Sequence, residues 1–109
     1  MAWQSTHRFA RISPRKARLI ADVIRGRDVQ DALNVLKFMP HRAAGMVSKV
    51  LTSAVASANE AEADMDRLYV REARVDEGPT IKRWRPKDRG RAFVILKRTS
   101  HIMVAVEQD

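Results

Sequence analysis

Between Lys82 and Arg98 this chain places eight basic residues, Lys82, Arg83, Arg85, Lys87, Arg89, Arg91, Lys97 and Arg98, against one acid, Asp88. The segment nets +7, in a chain of 109 residues whose total is +8. Trp84, Pro86 and Gly90 are interleaved with the charges, so the run is neither a helix face nor a lysine tail. Like charges crowded on one short segment repel each other unless a polyanion neutralises them. Nucleic acid is the polyanion this pattern points to.

The same residues predict a shape. Thr80 and Ile81 lead into the basic run, and Phe93, Val94, Ile95 and Leu96 lead out of it. A turn near Pro86 to Gly90 would pair the two arms as a β-hairpin protruding over about 80–100. Roughly ten residues per arm at about 3.3 Å each gives a reach of about 30 Å. An isolated ribbon of that length is marginal in water, and it has few apolar side chains near its tip. It is the kind of element that is ordered by insertion into something larger. Trp84 has two readings: a platform on which an unpaired base stacks, or a cross-strand packing partner of Phe93.

The rest of the chain predicts one domain, residues 1–109, with no internal repeat. An apolar fraction of 45% with 31% charged residues suits a folded domain. With no cysteine, neither a disulfide nor a thiolate metal site is available. A pI of about 10.8 narrows the partner to RNA, DNA or an acidic membrane surface. The charge is zoned: residues 1–25 are strongly basic, residues 26–81 slightly acidic, and the ribbon strongly basic again. A body with two contact regions would be built this way. No apolar run approaches a membrane span. The first 18 residues are basic and free of acids, as in a transit peptide, but Ser13-Pro14 already reads as the start of a core helix.

Along the chain, residues 5–12 are expected to form an edge strand anchored by Phe9 and Ile12. Ser13 as N-cap and Pro14 at the first helical position open a helix, with Leu19, Ile20, Val23 and Ile24 as its buried stripe and Gly26 as its stop. A second short helix follows Asp28, carries Val29, Ala32, Leu33 and Leu36 inward, and closes at Pro40. A third, from about His41 to Asn59, buries Ala43, Val47, Val50, Leu51, Ala54 and Ala58. The acidic patch from Glu60 to Asp66 reads as a solvated turn. Leu68 to Asp76 is a strand whose apolar parity changes midway, which predicts a bulge near Arg71 or Glu72. Glu77-Gly78-Pro79 breaks it. A last strand places Ile102, Val104 and Val106 on one face.

Catalysis has little to stand on. His7, His41 and His101 are far apart, no metal-ligand spacing occurs, and Gly78 and Gly90 are isolated rather than part of a phosphate-cradling loop. The chain is therefore expected to be no enzyme and to need no cofactor or metal. Arginine outnumbers lysine five to three in the ribbon, and a planar guanidinium both grips phosphate and stacks on bases. Arg15, Lys16 and Arg18 at the helix start, with Arg8 and Arg11 upstream, form a second basic surface. Lys97, Arg98, Thr99, Ser100 and His101 form a polar island with donors suited to phosphate and 2′-OH groups. The expected RNA-binding residues are these ten together with Lys82, Arg83, Trp84, Arg85, Lys87, Arg89 and Arg91.

Several ordered segments resemble the large-subunit ribosomal protein L-twenty-two family of bacterial or organellar type. They are Ser13-Pro14-Arg15-Lys16-Ala17-Arg18-Leu19, Val23-Ile24-Arg25-Gly26, Val75-Asp76-Glu77-Gly78-Pro79, Gly90-Arg91-Ala92, and Ile95-Leu96-Lys97-Arg98-Thr99-Ser100-His101-Ile102. The resemblance covers about Phe9 to Val106. It implies an α+β fold: three helices packed on a small antiparallel three-stranded sheet, with a long extended β-hairpin. It further implies binding to 23S-type large-subunit rRNA, a role in subunit assembly, neighbouring ribosomal proteins as partners, and a hairpin that lines the nascent-peptide exit tunnel near the macrolide site. The implied location is the ribosome, cytoplasmic or organellar, with no membrane and no small-molecule substrate. At the tip the chain departs from the resemblance, with Lys87-Asp88 where an Arg-Ala pair is usual and Trp84 where an aliphatic residue is expected. Two rival readings remain from the residues themselves: a free-standing helix-turn-helix-like DNA-binding regulator built on the second and third helices, and an RNA chaperone acting off the ribosome.

Overall fold

The computed structural model describes residues 2–87 and 91–109, and the side chains of residues 2–84 and 94–109. The expected turn at Asp88, Arg89 and Gly90 lies outside the described residues, as do the side chains of Arg85, Lys87, Arg91 and Phe93.

Three strands and three helices make the body. Strands β1 (Ala2–Ala10), β2 (Leu68–Glu77) and β5 (Ser100–Gln108) form an antiparallel sheet in the order β1-β5-β2. Strands β3 (Ile81–Lys87) and β4 (Arg91–Lys97) pair only with each other, as a separate two-stranded ribbon. Helices α1 (Pro14–Ile24), α2 (Val29–Phe38) and α3 (Arg42–Glu60) cover one face of the larger sheet. The α+β class and the helices-on-sheet arrangement thus stand as expected.

Local chemistry sets the helix ends. The Ser13 hydroxyl accepts from the Lys16 N–H at 3.4 Å, with Pro14 at the first helical position. Gly26, at φ +82°, turns the chain out of α1 where an L side chain would be strained. The buried face of α1 is Pro14, Ala17, Ile20, Ala21 and Ile24. This corrects the expected stripe: Leu19 is 60% exposed and Val23 only half-buried. Ala17 and Ala21 face the core beside Ile20 and Ile24 because α1 lies close to β2 and α3. Asp28 precedes α2 but caps it with no side-chain hydrogen bond. Helix α3 buries every residue of its expected stripe, and Ala44 as well, against β1, β5 and the other helices. Each Val, Leu or Ile so buried contributes about 1.5–3 kcal/mol.

The first strand differs from expectation. It runs Ala2–Ala10 rather than 5–12, and Ile12 is buried beyond its end. Phe9 is not an apolar anchor: it is 56% exposed, with φ +56°, where the register with β5 shifts between His7 and Ala10. Its N–H donates to His101 Nδ1 at 3.0 Å, and the two rings meet edge-on at 4.9 Å. These contacts hold a backbone conformation that costs a non-glycine residue about 1–2 kcal/mol. In β2 the predicted bulge is present, between Val70 and Glu72. It lets Val70, Ala73 and Val75 all reach the core.

Candidate nucleic-acid interface

The ribbon leaves the body at a set of polar bonds. The Thr99 hydroxyl donates to Pro79 O at 2.6 Å, the Gly78 N–H donates to Thr99 O at 2.9 Å, and the Ser100 hydroxyl donates to Ile12 O at 2.6 Å. Thr99 and Ser100 are buried. The polar island expected to meet RNA thus turns part of its chemistry inward. Its two hydroxyls fasten the ribbon to the β2 exit and to the start of α1, and His101 accepts from the Phe9 backbone. Lys97 and Arg98, in contrast, are exposed.

In the ribbon, Lys82 stands opposite Leu96, Trp84 opposite Val94, and Arg83 opposite Ile95. Directly opposed residues share a face of an antiparallel pair. Trp84, 68% exposed, therefore shares its face with Val94 and Leu96, each 47% exposed. The residue opposite Phe93 is Arg85, which removes the reading of Trp84 as Phe93's direct cross-strand partner. Arg83, Ile95, Ile81 and Lys97 occupy the opposite face.

Where the ribbon meets the body, an open cleft of about 740 Å³ forms between the start of α1, the start of α3 and the first residues of β3 and last of β4. Six cations line it: Arg11, Lys16, Arg42, Arg83, Lys97 and Arg98. Ile12, Leu19, Ala43 and Ile81 give it an apolar floor, and Leu96 borders it from the ribbon's other face. No acid lines it among the described residues. The sequence signalled five of these cations, but not Arg42, which opens the mostly apolar first turns of α3, nor the exposed Leu19, which helical spacing had placed in the core. A smaller recess beside it is lined by Arg15, Arg18, Arg98 and Glu77.

Two populations stand out among the basic residues, with Lys37, Lys49 and Arg67 in neither. Among the described residues the ion pairs are Arg25–Asp22 and Arg27–Asp31 at 2.9 Å, Arg71–Glu107 and Arg74–Glu72 at 3.4 Å, and Arg74–Asp76 at 3.2 Å. Every arginine in them lies on α1, on β2 or between α1 and α2. Among the described residues Arg8, Arg11, Arg15, Lys16, Lys82, Arg83, Lys97 and Arg98 enter no ion pair. Arg8 instead lies over the Phe9 ring, 5.6 Å from its centre. Arg18 is exposed in part, but its guanidinium is in use: Nε and Nη2 donate to Val75 O at 3.3 and 3.1 Å. Arg25 Nη2 likewise donates to Ala73 O at 2.6 Å, and the Gly26 N–H to Val70 O at 2.9 Å. Together they cover the outer edge of β2, which would otherwise offer bare carbonyls to another strand.

No helix among the described residues is long and apolar enough to cross a membrane. Comparison with known proteins adds an independent finding. The family described as Ribosomal protein L22p/L17e matches residues 5–107. A protein named large ribosomal subunit protein uL22 from Desulfosudis oleivorans is 51% identical over 104 residues, covering 95% of this chain and 91% of its own length. One of the same name from Caldicellulosiruptor saccharolyticus is 50% identical over 105 residues, covering 95% and 86%. A third, from Oleidesulfovibrio alaskensis, is 47% identical over 110 residues and covers both chains completely.

Proposed function

The chain belongs to the ribosomal protein L22p/L17e family, and from that premise we propose that it is a structural constituent of the large ribosomal subunit that binds rRNA through the ribbon and the cleft at its root. The observation that carries this reading is the division of the cations. Arginines that brace the body are paired with acids or strand carbonyls, while those of the cleft and ribbon root meet no acid among the described residues. An interface meant for phosphate leaves its cations in that state, because an internal acid would compete with the ligand.

The working contact set is Arg8, Arg11, Arg15, Lys16, Lys82, Arg83, Lys97 and Arg98, extended to the tip by Arg85, Lys87, Arg89 and Arg91. Trp84 serves as an exposed surface for an unpaired base. His101 stays at the margin, and Thr99, Ser100 and Arg18 act as supports, since their polar groups are engaged within the chain. The ribbon is the part suited to the exit-tunnel wall: it projects from the body and pairs with no other strand. Neighbouring ribosomal proteins and the nascent peptide are the remaining partners in this reading, and the location is the cytoplasmic ribosome. The helix-turn-helix reading has less support, because α3 packs one side against the sheet and the other helices, and its exposed side carries only Arg42 and Lys49 as cations, a poor face for a DNA groove.

The test is fractionation of cell extract on a sucrose gradient in high salt, with the tagged full chain followed by immunoblot. Co-migration with the large subunit is expected. A pool sedimenting apart from ribosomes and bound to a defined duplex DNA would overturn the reading.

A further inference from the structure

The cleft at the ribbon's root combines two features that phosphate neutralisation alone does not require. Its rim is cationic, yet its floor is aliphatic, and in that floor Leu19 remains 60% exposed and Ile81 half-buried. Leaving such side chains in water is unfavourable, and a duplex backbone, which presents charge and sugar, would not cover them. An unstacked base would, since it has an apolar face, and proteins that read folded RNA commonly take bases out of the stack. The cations approach the floor from three segments: Arg11 and Lys16 around the start of α1, Arg42 at the start of α3, and Arg83, Lys97 and Arg98 at the ribbon root. A polynucleotide carries a charge at every unit, so a strand entering and leaving the cleft sets a phosphate on either side of the seated base. An acidic peptide would have to match six cations with side chains spaced for the purpose.

We infer that this cleft is a pocket for a single extruded RNA nucleotide, its base on Leu19 and Ile81 and its flanking phosphates on the surrounding cations. The inference rests on the rRNA-binding reading and deepens it. Arg42 and Leu19 thereby gain a role in recognition.

The probe is a pair of RNA hairpins identical except for one bulged nucleotide, titrated with the full chain by fluorescence anisotropy. The bulged RNA is expected to bind about tenfold more tightly. The double variant Leu19→Ser/Ile81→Ser, neither position buried in the fold, is expected to lose that preference while keeping its affinity for the unbulged hairpin. Arg42→Gln should weaken both RNAs and leave their ratio unchanged. Equal binding of the two RNAs by the unmodified chain, or a preference that survives the floor double variant, overturns the pocket and leaves the rRNA-binding reading standing. Failure to bind either RNA in a salt-dependent way overturns both. An acidic leucine-containing peptide that displaces the bulged RNA, and loses its hold in the floor double variant, would assign the cleft to protein and overturn the proposal.

Discussion

Tyr69 and Glu107 stand opposite each other on β2 and β5, and the phenol donates to the carboxylate at 3.1 Å. That bond, reinforced by partial burial and the carboxylate's charge, holds the phenol's pKa above its ordinary 10.0. The sign follows from linkage. The fold favours the neutral phenol, so the pair's contribution is complete below the unfolded chain's pKa and is lost as pH rises through the raised folded value. Tyr69 is the only tyrosine, so ultraviolet titration of phenolate absorbance reads it alone. We expect a folded-state midpoint above 10, moving back toward it in Glu107→Gln; a midpoint that Glu107→Gln leaves in place would contradict the pairing. At this scale the sequence distinguished residue types but not their engagements. Arg15 and Arg18 sit in one basic cluster, yet Arg18 meets a carbonyl 57 residues away, and no local pattern encodes a partner so distant.

Among the elements, the ribbon's root depends on a close approach. A Cβ placed on Gly78 would fall 2.5 Å from the Thr99 hydroxyl oxygen and 3.3 Å from that residue's backbone carbonyl carbon and oxygen. Gly78→Ala must therefore push the hydroxyl away from Pro79 O, and overpacking of this kind costs about 1–3 kcal/mol. Thr99→Ala should cost about 1 kcal/mol through the lost hydrogen bond. Because Thr99→Ala also removes the clashing atom, the double variant should cost less than the sum, as urea denaturation would show; strict additivity would contradict the contact. Most elements were legible because their signals are local: Ser13-Pro14 and Gly26 bracket α1, and the parity change in β2 located its bulge. The first strand was not. Its residues carry no clean alternation, and its bounds come from backbone pairing with β5, 90 to 105 positions along the chain. Leu19 was misplaced for a related reason: helical periodicity marks a face, while the choice of inward side chains follows from neighbours the sequence does not show.

The whole molecule measures 63 × 24 × 17 Å, with a radius of gyration of 16.9 Å. A compact chain of this length would have about 13 Å. The excess reflects a ribbon that leaves the body, and the composition foretold it: charge that cannot be folded inward must be displayed. What the sequence could not convey is that its bases include two distinct populations, one bracing the fold and one left for a ligand. That division is the central claim, and salt dependence tests it at constant net charge. Binding of the full chain to a large-subunit rRNA transcript should be measured against salt concentration for two double variants, Arg83→Gln/Lys97→Gln and Arg27→Gln/Arg71→Gln. Each removes two positive charges. If the cleft cations meet phosphate, the first makes the slope of log affinity against log salt shallower by about 1.4–1.8, and the second leaves it nearly unchanged. Equal effects from the two would mean that total charge, and not its placement, governs binding, and would contradict the account.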